Sequence, residues 1–291
     1  MNVRALFAAM ALLASSGVVY ADNNCSTASL DGRYVTSGHS QFTNPKFNFV
    51  DASAAVALSD YDGLGHVTAT YGVLNADGTI LHFTASGTYV VNADCSYSET
   101  SSAVVTLPNG VVFYALPSTN IGVVADHGRR IETMPGAAHN LPAFTETSGL
   151  TTATAEKLEN SQCRSLEPAE YVIHGLFLDV LDNGNHVAAT VVATASGDDR
   201  GHLTGNVNLN FGSHVNTNTI DASLVIKPNC TLTWTGAGQG GSVFYGVAIE
   251  KSDSIELHMV GGDPPTTDPN TGATLPGSTA EFTAVGTPRE E

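Results

Sequence analysis

Residues 201–211 (GHLTGNVNLNF) constrain this chain most, because their side chains alternate between polar and apolar. Leu203, Val207 and Leu209 occupy odd positions, and polar residues occupy the even ones. A period of two over this length predicts a β-strand with one buried face and one solvated face. Residues 65–73 (GHVTATYGV) repeat the pattern about 136 positions earlier. The chain therefore contains this strand twice.

The sequence around both copies is duplicated too, which predicts two structural units. Tyr34-Val35-x-x-Gly38 precedes the first copy, and Tyr171-Val172-x-x-Gly175 precedes the second. Further along, GVVFY at 110–114 corresponds to GSVFY at 241–245, after which unit one inserts about seven residues at 115–121. We place the first unit at residues 22–160 and the second at 161–291.

Residues 1–21 have the features of a secretory signal peptide. Arg4 supplies a positive charge, an apolar run follows at 5–19, and Val19 and Ala21 suit cleavage after Ala21. No later run approaches the roughly 20 apolar residues that span a bilayer. We expect a secreted or periplasmic protein without a membrane span.

The four cysteines predict two disulfides. Such bonds are typical of chains routed to an oxidising compartment. Among the three possible pairings, the repeat favours Cys25–Cys95 and Cys163–Cys230, each within its own unit. No CxxC or paired-histidine spacing accompanies the cysteines, so we predict no zinc site.

Each unit carries about eight short strand patterns separated by turns rich in Gly, Asn and Asp. No helical period of ten or more residues occurs outside the signal peptide. This predicts an all-β chain of two tandem antiparallel eight-stranded barrels, with β-sandwiches as the alternative, each unit latched by one disulfide. Eight strands enclose just enough room for side chains or one small ligand.

Two motifs carry a family resemblance: DGLGHVTAT at 62–70 and SGTYVVNADC at 86–95. They resemble a group of uncharacterised secreted bacterial proteins, whose layout is similar to calycin-type barrels such as lipocalins, dirigent proteins and allene oxide cyclases. The resemblance implies a barrel fold and permits either ligand carriage or cyclase-like chemistry. Its motifs are turn and strand residues, so it assigns no active-site residue. Unit two departs from it at Leu224, where unit one has Tyr89.

Tyr34 and Tyr171 are candidate ligand-binding residues, since they occur in both copies. They are either fold determinants or part of a cavity lining. His174 is a further candidate, because Ser37 holds its place in unit one and the imidazole is able to face a unit-two cavity. A structural histidine is the alternative.

Arg129, Arg130 and Glu132 form the densest charge cluster in a chain with few basic residues. One interpretation is edge-strand charges that prevent aggregation. The other is an inward-facing polar floor for a ligand in unit one.

Other polar residues have simpler explanations. The alternation places His66 and His202 on the solvated face. Asp60-x-Asp62-Gly63 begins like a calcium loop but lacks its length and its terminal Glu, and turn chemistry explains it. We predict neither a metal site nor a cofactor.

The charge balance bears on partners. With 28 acidic and 11 basic residues the net charge is −17, which argues against nucleic acid as a binding partner.

We expect the protein to bind a small apolar molecule or a partner surface, such as that of another envelope protein. A cyclase- or isomerase-like enzyme and a structural envelope or matrix protein are the alternatives. A catalytic motif such as GxSxG is absent from the sequence, which favours the non-enzymatic function. The apolar connection at 134–148 is a candidate lid over a barrel mouth.

Overall fold

The computed structural model describes most of the chain from residue 25 onward. The described ranges are 25–44, 49–76, 79–106, 110–114, 118–135, 148–160, 162–163, 168–180, 186–210, 214–236, 241–263, 266–267, 274–275 and 278–288. The predicted signal peptide and nearly all of the candidate lid lie outside them. In the described part of the chain, no helix is long and apolar enough to cross a membrane.

The first unit is a closed antiparallel barrel. Its strands are β1 (Asp31–Asn44), β2 (Phe49–Asp62), β3 (His66–Ala76), β4 (Thr79–Val91), β5 (Ser96–Thr106), β6 (Val112–Tyr114), β7 (Ser118–Ala125), β8 (Arg130–Pro135) and β9 (Ser148–Lys157). Pairing runs β4-β3-β2-β1-β9-β8-β7-β5, and β4 pairs with β5 to close the ring. Both β6 and β7 pair with β5 at different points along it, so together they hold one strand position. Of the insertion predicted at 115–121, residues 118–121 belong to β7 and pair with β5, and the rest lies outside the described residues.

The second unit is a closed barrel of eight strands. They are β10 (Ala169–Val180), β11 (His186–Gly197), β12 (His202–Asn210), β13 (Val215–Ile226), β14 (Thr231–Gly236), β15 (Val243–Glu250), β16 (Ile255–Gly262) and β19 (Thr279–Pro288). Between β16 and β19, the two-residue strands β17 (Thr266–Thr267) and β18 (Thr274–Leu275) form a separate sheet. The predicted all-β fold with two eight-stranded barrels is confirmed, and the sandwich alternative is wrong.

Both predicted disulfides are confirmed. Cys25 pairs with Cys95 and Cys163 with Cys230, each at a Cα–Cα distance of 5.0 Å. Each bond ties the chain entering a barrel to the turn that follows the fourth strand of that barrel.

The duplicated turns before β3 and β12 are built by an aspartate. Asp62 Oδ1 accepts hydrogen bonds from the backbone N–H groups of Leu64 and His66, at 2.7 and 2.9 Å. Asp198 accepts equivalent bonds from Arg200 and His202 at 3.0 and 2.8 Å. The backbone bonds lower the pKa of Asp62 to about 2, and the adjacent His66 ring adds to the effect. This is the turn chemistry that the sequence predicts.

The barrels pack against each other through outward side chains of β1, β2 and β3 on one side and of β15 and β16 on the other. The shared apolar cluster contains, among others, Val35, Val56, Leu58, Val73, Val247, Ile249 and Val260. The Asn75 amide of barrel 1 donates to the backbone carbonyls of Gly261 and Ser278 in barrel 2. The outer face of the first three strands is therefore an interface.

The disulfides should contribute measurably to stability. Closing a loop of nearly 70 residues stabilises a fold by about 4 kcal/mol on the chain-entropy estimate. We expect the double substitution Cys163→Ser and Cys230→Ser to lower the free energy of unfolding of barrel 2 by about that amount in urea titrations. Cys25→Ser with Cys95→Ser is the matched variant for barrel 1. An unchanged urea midpoint in either variant would contradict the expectation.

Candidate functional site

Both barrels are hollow. The interior of barrel 1 contains a cavity of about 240 Å³, and that of barrel 2 a cavity of about 270 Å³. Protein interiors are normally packed with few voids larger than a water molecule. Cavities of this size at corresponding places in both units are the leading candidates for a site.

Small inward side chains leave the cavity of barrel 1 open. Its wall includes the alanines at positions 55, 57, 69, 85, 153 and 155. Phe83 occupies part of the space, and it can do so because residue 72 is glycine: a Cβ there would lie 2.4 Å from the ring. The wall also includes Val67, Leu74 and Met134, together with several hydroxyl groups, the amide of Asn120 and one carboxylate, that of Glu99.

A cluster of four tyrosines fills the end of barrel 1 beside the disulfide. The rings of Tyr34 and Tyr61 are 4.9 Å apart, those of Tyr61 and Tyr89 5.0 Å, and those of Tyr89 and Tyr97 6.2 Å. The Tyr34 hydroxyl donates to the Gly128 carbonyl, and the Tyr89 hydroxyl donates to the Leu30 carbonyl at 2.7 Å. Tyr61 belongs both to this cluster and to the cavity wall.

A hydrogen-bonded chain leads from this cluster to a carboxylate in the cavity wall. The Tyr97 hydroxyl donates to Glu99 Oε2 at 2.5 Å, and the hydroxyls of Tyr61 and Tyr97 are 3.1 Å apart. Because the proton of Tyr97 is directed at Glu99, Tyr61 is the donor to Tyr97. Burial raises the pKa of both phenols above its usual value, so both remain neutral donors at ordinary pH.

Sequence reasoning missed Glu99. The residue shares its parity with Tyr97 on β5 and lies directly opposite Tyr89 of β4. The sequence signal that could have identified Glu99 is its position two residues after Tyr97, because side chains two residues apart on a strand point to the same face.

Barrel 2 is apolar at the corresponding positions. In barrel 1, Glu99 pairs with Tyr89, and in barrel 2 the equivalent pair is Trp234 with Leu224. Trp234 is therefore the counterpart of Glu99, and by the same register Leu232 is the counterpart of Tyr97. Gly197 stands where barrel 1 has Tyr61. The cavity wall includes Ile173, Val191, Ala193, Val207, Trp234, Phe244, Met259 and Phe282. The two interiors thus differ in chemistry although their folds are alike.

The two predicted tyrosines are core residues beside the cavities. Tyr34 and Tyr171 are 0 % and 1 % exposed, and neither lines a cavity. The Tyr171 hydroxyl has no hydrogen-bond partner among the described residues, and burial raises its pKa to about 12.

The predicted charge cluster lies on the outside of barrel 1. Arg130 pairs with Glu132 at 2.5 Å and Arg129 with Glu159 at 3.7 Å, while Ile131 between them points inward. Strand β8 pairs with both β7 and β9, so it is an interior strand of the sheet and the edge-strand interpretation is wrong. The three charged side chains thus point away from the interior that contains Tyr34, although the Tyr34 hydroxyl donates to the carbonyl of the neighbouring Gly128.

His174 lies on the outer face of barrel 2, in a cleft of about 240 Å³ between the barrels. Ser37, its counterpart in unit one, lines the same cleft. His39 pairs there with Glu281 at 3.1 Å, and burial raises the pKa of Glu281. His174 thus faces the neighbouring barrel and not a barrel interior.

A second polar group at the interface resembles a catalytic arrangement. His258 Nδ1 is 3.2 Å from Ser37 Oγ, and His258 Nε2 is 3.2 Å from Glu256 Oε1. However, Ser37 sits within β1 and is paired with Val56 and Thr154 on either side. The backbone N–H groups around Ser37 are used in the hydrogen bonds of the sheet and do not form an oxyanion hole.

One ammonium group contacts both carboxylates of this group. Lys251 Nζ bonds Glu256 and lies 3.8 Å from Glu156. The contacts with His258 and Lys251 lower the pKa of Glu256 to about 2. Glu156, Glu256 and His258 place ligand atoms within 4.8 Å of one another, but Lys251 already contacts both carboxylates and offsets one of their two charges. The arrangement is an ion-pair network of the interface.

Comparisons with known proteins assign no function. No protein-family model matches the chain, and no curated protein does. A bacterial polysaccharide outer membrane secretin is 12 % identical, with 89 % of this chain and 99 % of that chain covered, at a TM-score of 0.25. A Nostoc punctiforme protein of unknown function from the DUF3598 family is 11 % identical, with 90 % and 98 % covered, at 0.24. The translocator domain of the autotransporter NalP from Neisseria meningitidis is 9 % identical, with 98 % and 96 % covered, at 0.18. At these TM-scores the similarities support no conclusion about this chain.

The buried phenols give barrel 1 a testable pH dependence. The pKa values of Tyr61 and Tyr97 are raised in the fold, whereas in the unfolded chain both phenols ionise near pH 10. Above about pH 10 the unfolded state therefore binds fewer protons than the folded state, so stability falls as the pH rises further. We expect the phenolate absorbance of the folded protein at pH 11 to be lower than that of the same sample in urea. Coincident titration curves would show that the phenols are not shielded.

Proposed function

We propose that this chain is a secreted or periplasmic binding protein whose barrels each hold a small molecule in the interior. The observation that supports the proposal is the pair of cavities, of about 240 and 270 Å³. An apolar cavity of about 150 Å³ is known to stay dry and to accept benzene. Each barrel has room for a ligand of at least that size.

Barrel 2 suits a neutral apolar ligand. Trp234, Phe244 and Phe282 line one region of its cavity, with ring centroids 6.4 Å apart for the first pair and 5.1 Å for the second. Burial of an apolar ligand gains roughly 25 cal/mol for each Å² removed from water. Apolar walls with a few polar groups are typical of small-molecule sites. The calycin-type resemblance of the sequence agrees with this function and remains a prediction.

An enzyme of the cyclase or isomerase kind is the second candidate, and Glu99 is the observation that favours it. A carboxylate in a cavity, hydrogen-bonded to Tyr97, is a group that can exchange a proton with a bound substrate. Native mass spectrometry of protein purified from its own host separates the two functions. A carrier retains an unchanged ligand, whereas an enzyme converts the added molecule and releases it.

Binding to a partner surface, in a binding protein or in a structural envelope or matrix protein, is a further alternative. Val172 and Val192, on neighbouring strands of barrel 2, are 54 % and 56 % exposed. Exposed apolar side chains that adjoin one another are typical of contact surfaces. A partner would bind this outer face and leave the cavities unoccupied.

Trp234 offers a direct test of ligand binding in barrel 2. It is the only tryptophan of the chain and lines that cavity. We expect bromobenzene, which quenches tryptophan on contact, to quench the emission in a saturable manner. Ala193→Leu fills part of the cavity and should weaken this binding by about tenfold, the effect of 1.4 kcal/mol.

The repeat supplies a matched control. Ala57 of barrel 1 is the counterpart of Ala193, since each lines its cavity from the second strand of its barrel. Ala57→Leu should leave the quenching of Trp234 unchanged. Quenching that does not saturate in the unsubstituted protein, or that persists in full in Ala193→Leu, would contradict binding inside barrel 2.

A further inference from the structure

We propose that barrel 1 binds a small molecule that carries a protonated amine, and that the ammonium group pairs with Glu99 inside the cavity. The inference rests on the proposed function, because it names the ligand class of one of the two cavities. It predicts that the two barrels of one chain take ligands of different charge.

Glu99 is an acid without a cation. It is the only ionisable carboxylate among the described residues of the cavity wall, and no lysine, arginine or histidine lies there. Glu99 is half-buried, and a ligand that fills the cavity would remove it further from water, which favours a ligand that supplies an opposite charge. The structure thus presents a negative charge that a ligand can balance.

The hydrogen bonds of Glu99 leave room for a ligand. A carboxylate has about four acceptor positions on its two oxygens. The Tyr97 hydroxyl uses one of them, on Oε2. An ammonium group brings three donors and no acceptor, which complements the remaining positions. Tyr97 in turn fixes the carboxylate, because Tyr61 and the barrel floor hold its own ring in place.

The surrounding wall suits an amine with a short hydrocarbon part. Asn120 of β7 lies directly opposite Glu99 of β5, and Ser101 is two residues along the same strand. The amide oxygen of Asn120 can accept another ammonium proton. Across the barrel the wall is formed by alanines and Phe83, which have no charge and suit an apolar group.

Barrel 2 shows that the fold does not need this acid. Trp234, Leu232 and Gly197 replace Glu99, Tyr97 and Tyr61, yet barrel 2 closes with the same strand number and an equivalent disulfide. The closed barrel therefore does not require the acid, and the structural role of Glu99 is limited to accepting the hydrogen bond of Tyr97. The cavity of barrel 2 does include a carboxylate, that of Asp221, but it is exposed and pairs with His202 at 2.8 Å. Among the described residues, a cavity carboxylate with no cation beside it occurs in barrel 1 alone, and this points to a ligand.

The experiment compares 2-phenylethylamine with 2-phenylethanol, which differ in charge and hardly in shape. Isothermal titration of the full chain at neutral pH should show amine binding that is at least about tenfold tighter than alcohol binding. Glu99→Gln keeps an oxygen for Tyr97 but removes the charge, and should abolish the preference. Ala57→Leu should weaken binding of the amine. Ala193→Leu, in barrel 2, should not.

A surface carboxylate of the same barrel controls for the loss of negative charge alone. Glu132 lies outside the barrel and pairs with Arg130, so Glu132→Gln should leave the preference for the amine intact. Circular dichroism checks that each variant is folded. If Glu99→Gln does not fold, the comparison of amine with alcohol in the unsubstituted protein still decides the proposal.

The outcomes separate this inference from the function on which it rests. Equal affinity for amine and alcohol, or an unchanged preference in Glu99→Gln, overturns the amine proposal. If bromobenzene still quenches Trp234 in that case, ligand binding by the barrels stands. If no probe binds in either barrel, both proposals fail.

Discussion

The size of the inward side chains is the constraint on which the rest of this structure depends. An eight-stranded barrel has an interior that ordinary side chains just fill. Here, alanines such as Ala57 and Ala193 occupy inward positions halfway along the strands, so the interior is left open. Larger residues then gather at one end, where the tyrosine cluster closes barrel 1. The strand pairing closes the barrel, and the sizes of the inward side chains along each strand determine where the cavity lies.

The same alternation explains why β2 is apolar on both faces. Its inward residues Ala55 and Ala57 line the cavity, and its outward residues Val56 and Leu58 pack against barrel 2. A strand covered on both faces needs no polar side, and its sequence therefore reads as a continuous apolar run. In β11, the equivalent strand, Val191 points inward whereas Val192 is exposed. The duplicated strands thus have different surroundings because only one of them lies in the interface.

Much of the fold could be predicted from sequence, because period-two patterns and a duplication report directly on strand faces and on disulfide pairing. The site was less accessible. Glu99 belongs to a run of polar residues, SYSETSS at 96–102, in which apolar alternation is too weak to mark the inner face. His174 was expected to face a barrel interior or to be structural, but whether an outward residue faces solvent or a second barrel depends on domain contacts that no strand pattern encodes. Arg130 was assigned to an edge strand, and in a closed barrel each strand has two neighbours.

The interface lies between strands that line the two cavities: β2 lines the cavity of barrel 1, and β15 and β16, which it contacts, contribute Phe244 and Met259 to the cavity of barrel 2. Because β2 contributes Ala57 to the cavity of barrel 1 and Val56 to the contact with β15 and β16, a displacement of this strand changes both environments. Close-packed interfaces shift between discrete arrangements and resist small deformations. A ligand that fits the cavity of barrel 1 without moving β2 therefore leaves barrel 2 unaffected. A ligand large enough to push Ala57 outward must repack Val56 and Leu58 against the second barrel. The width of the cavity at β2 thus sets the ligand size above which the two barrels cease to act independently.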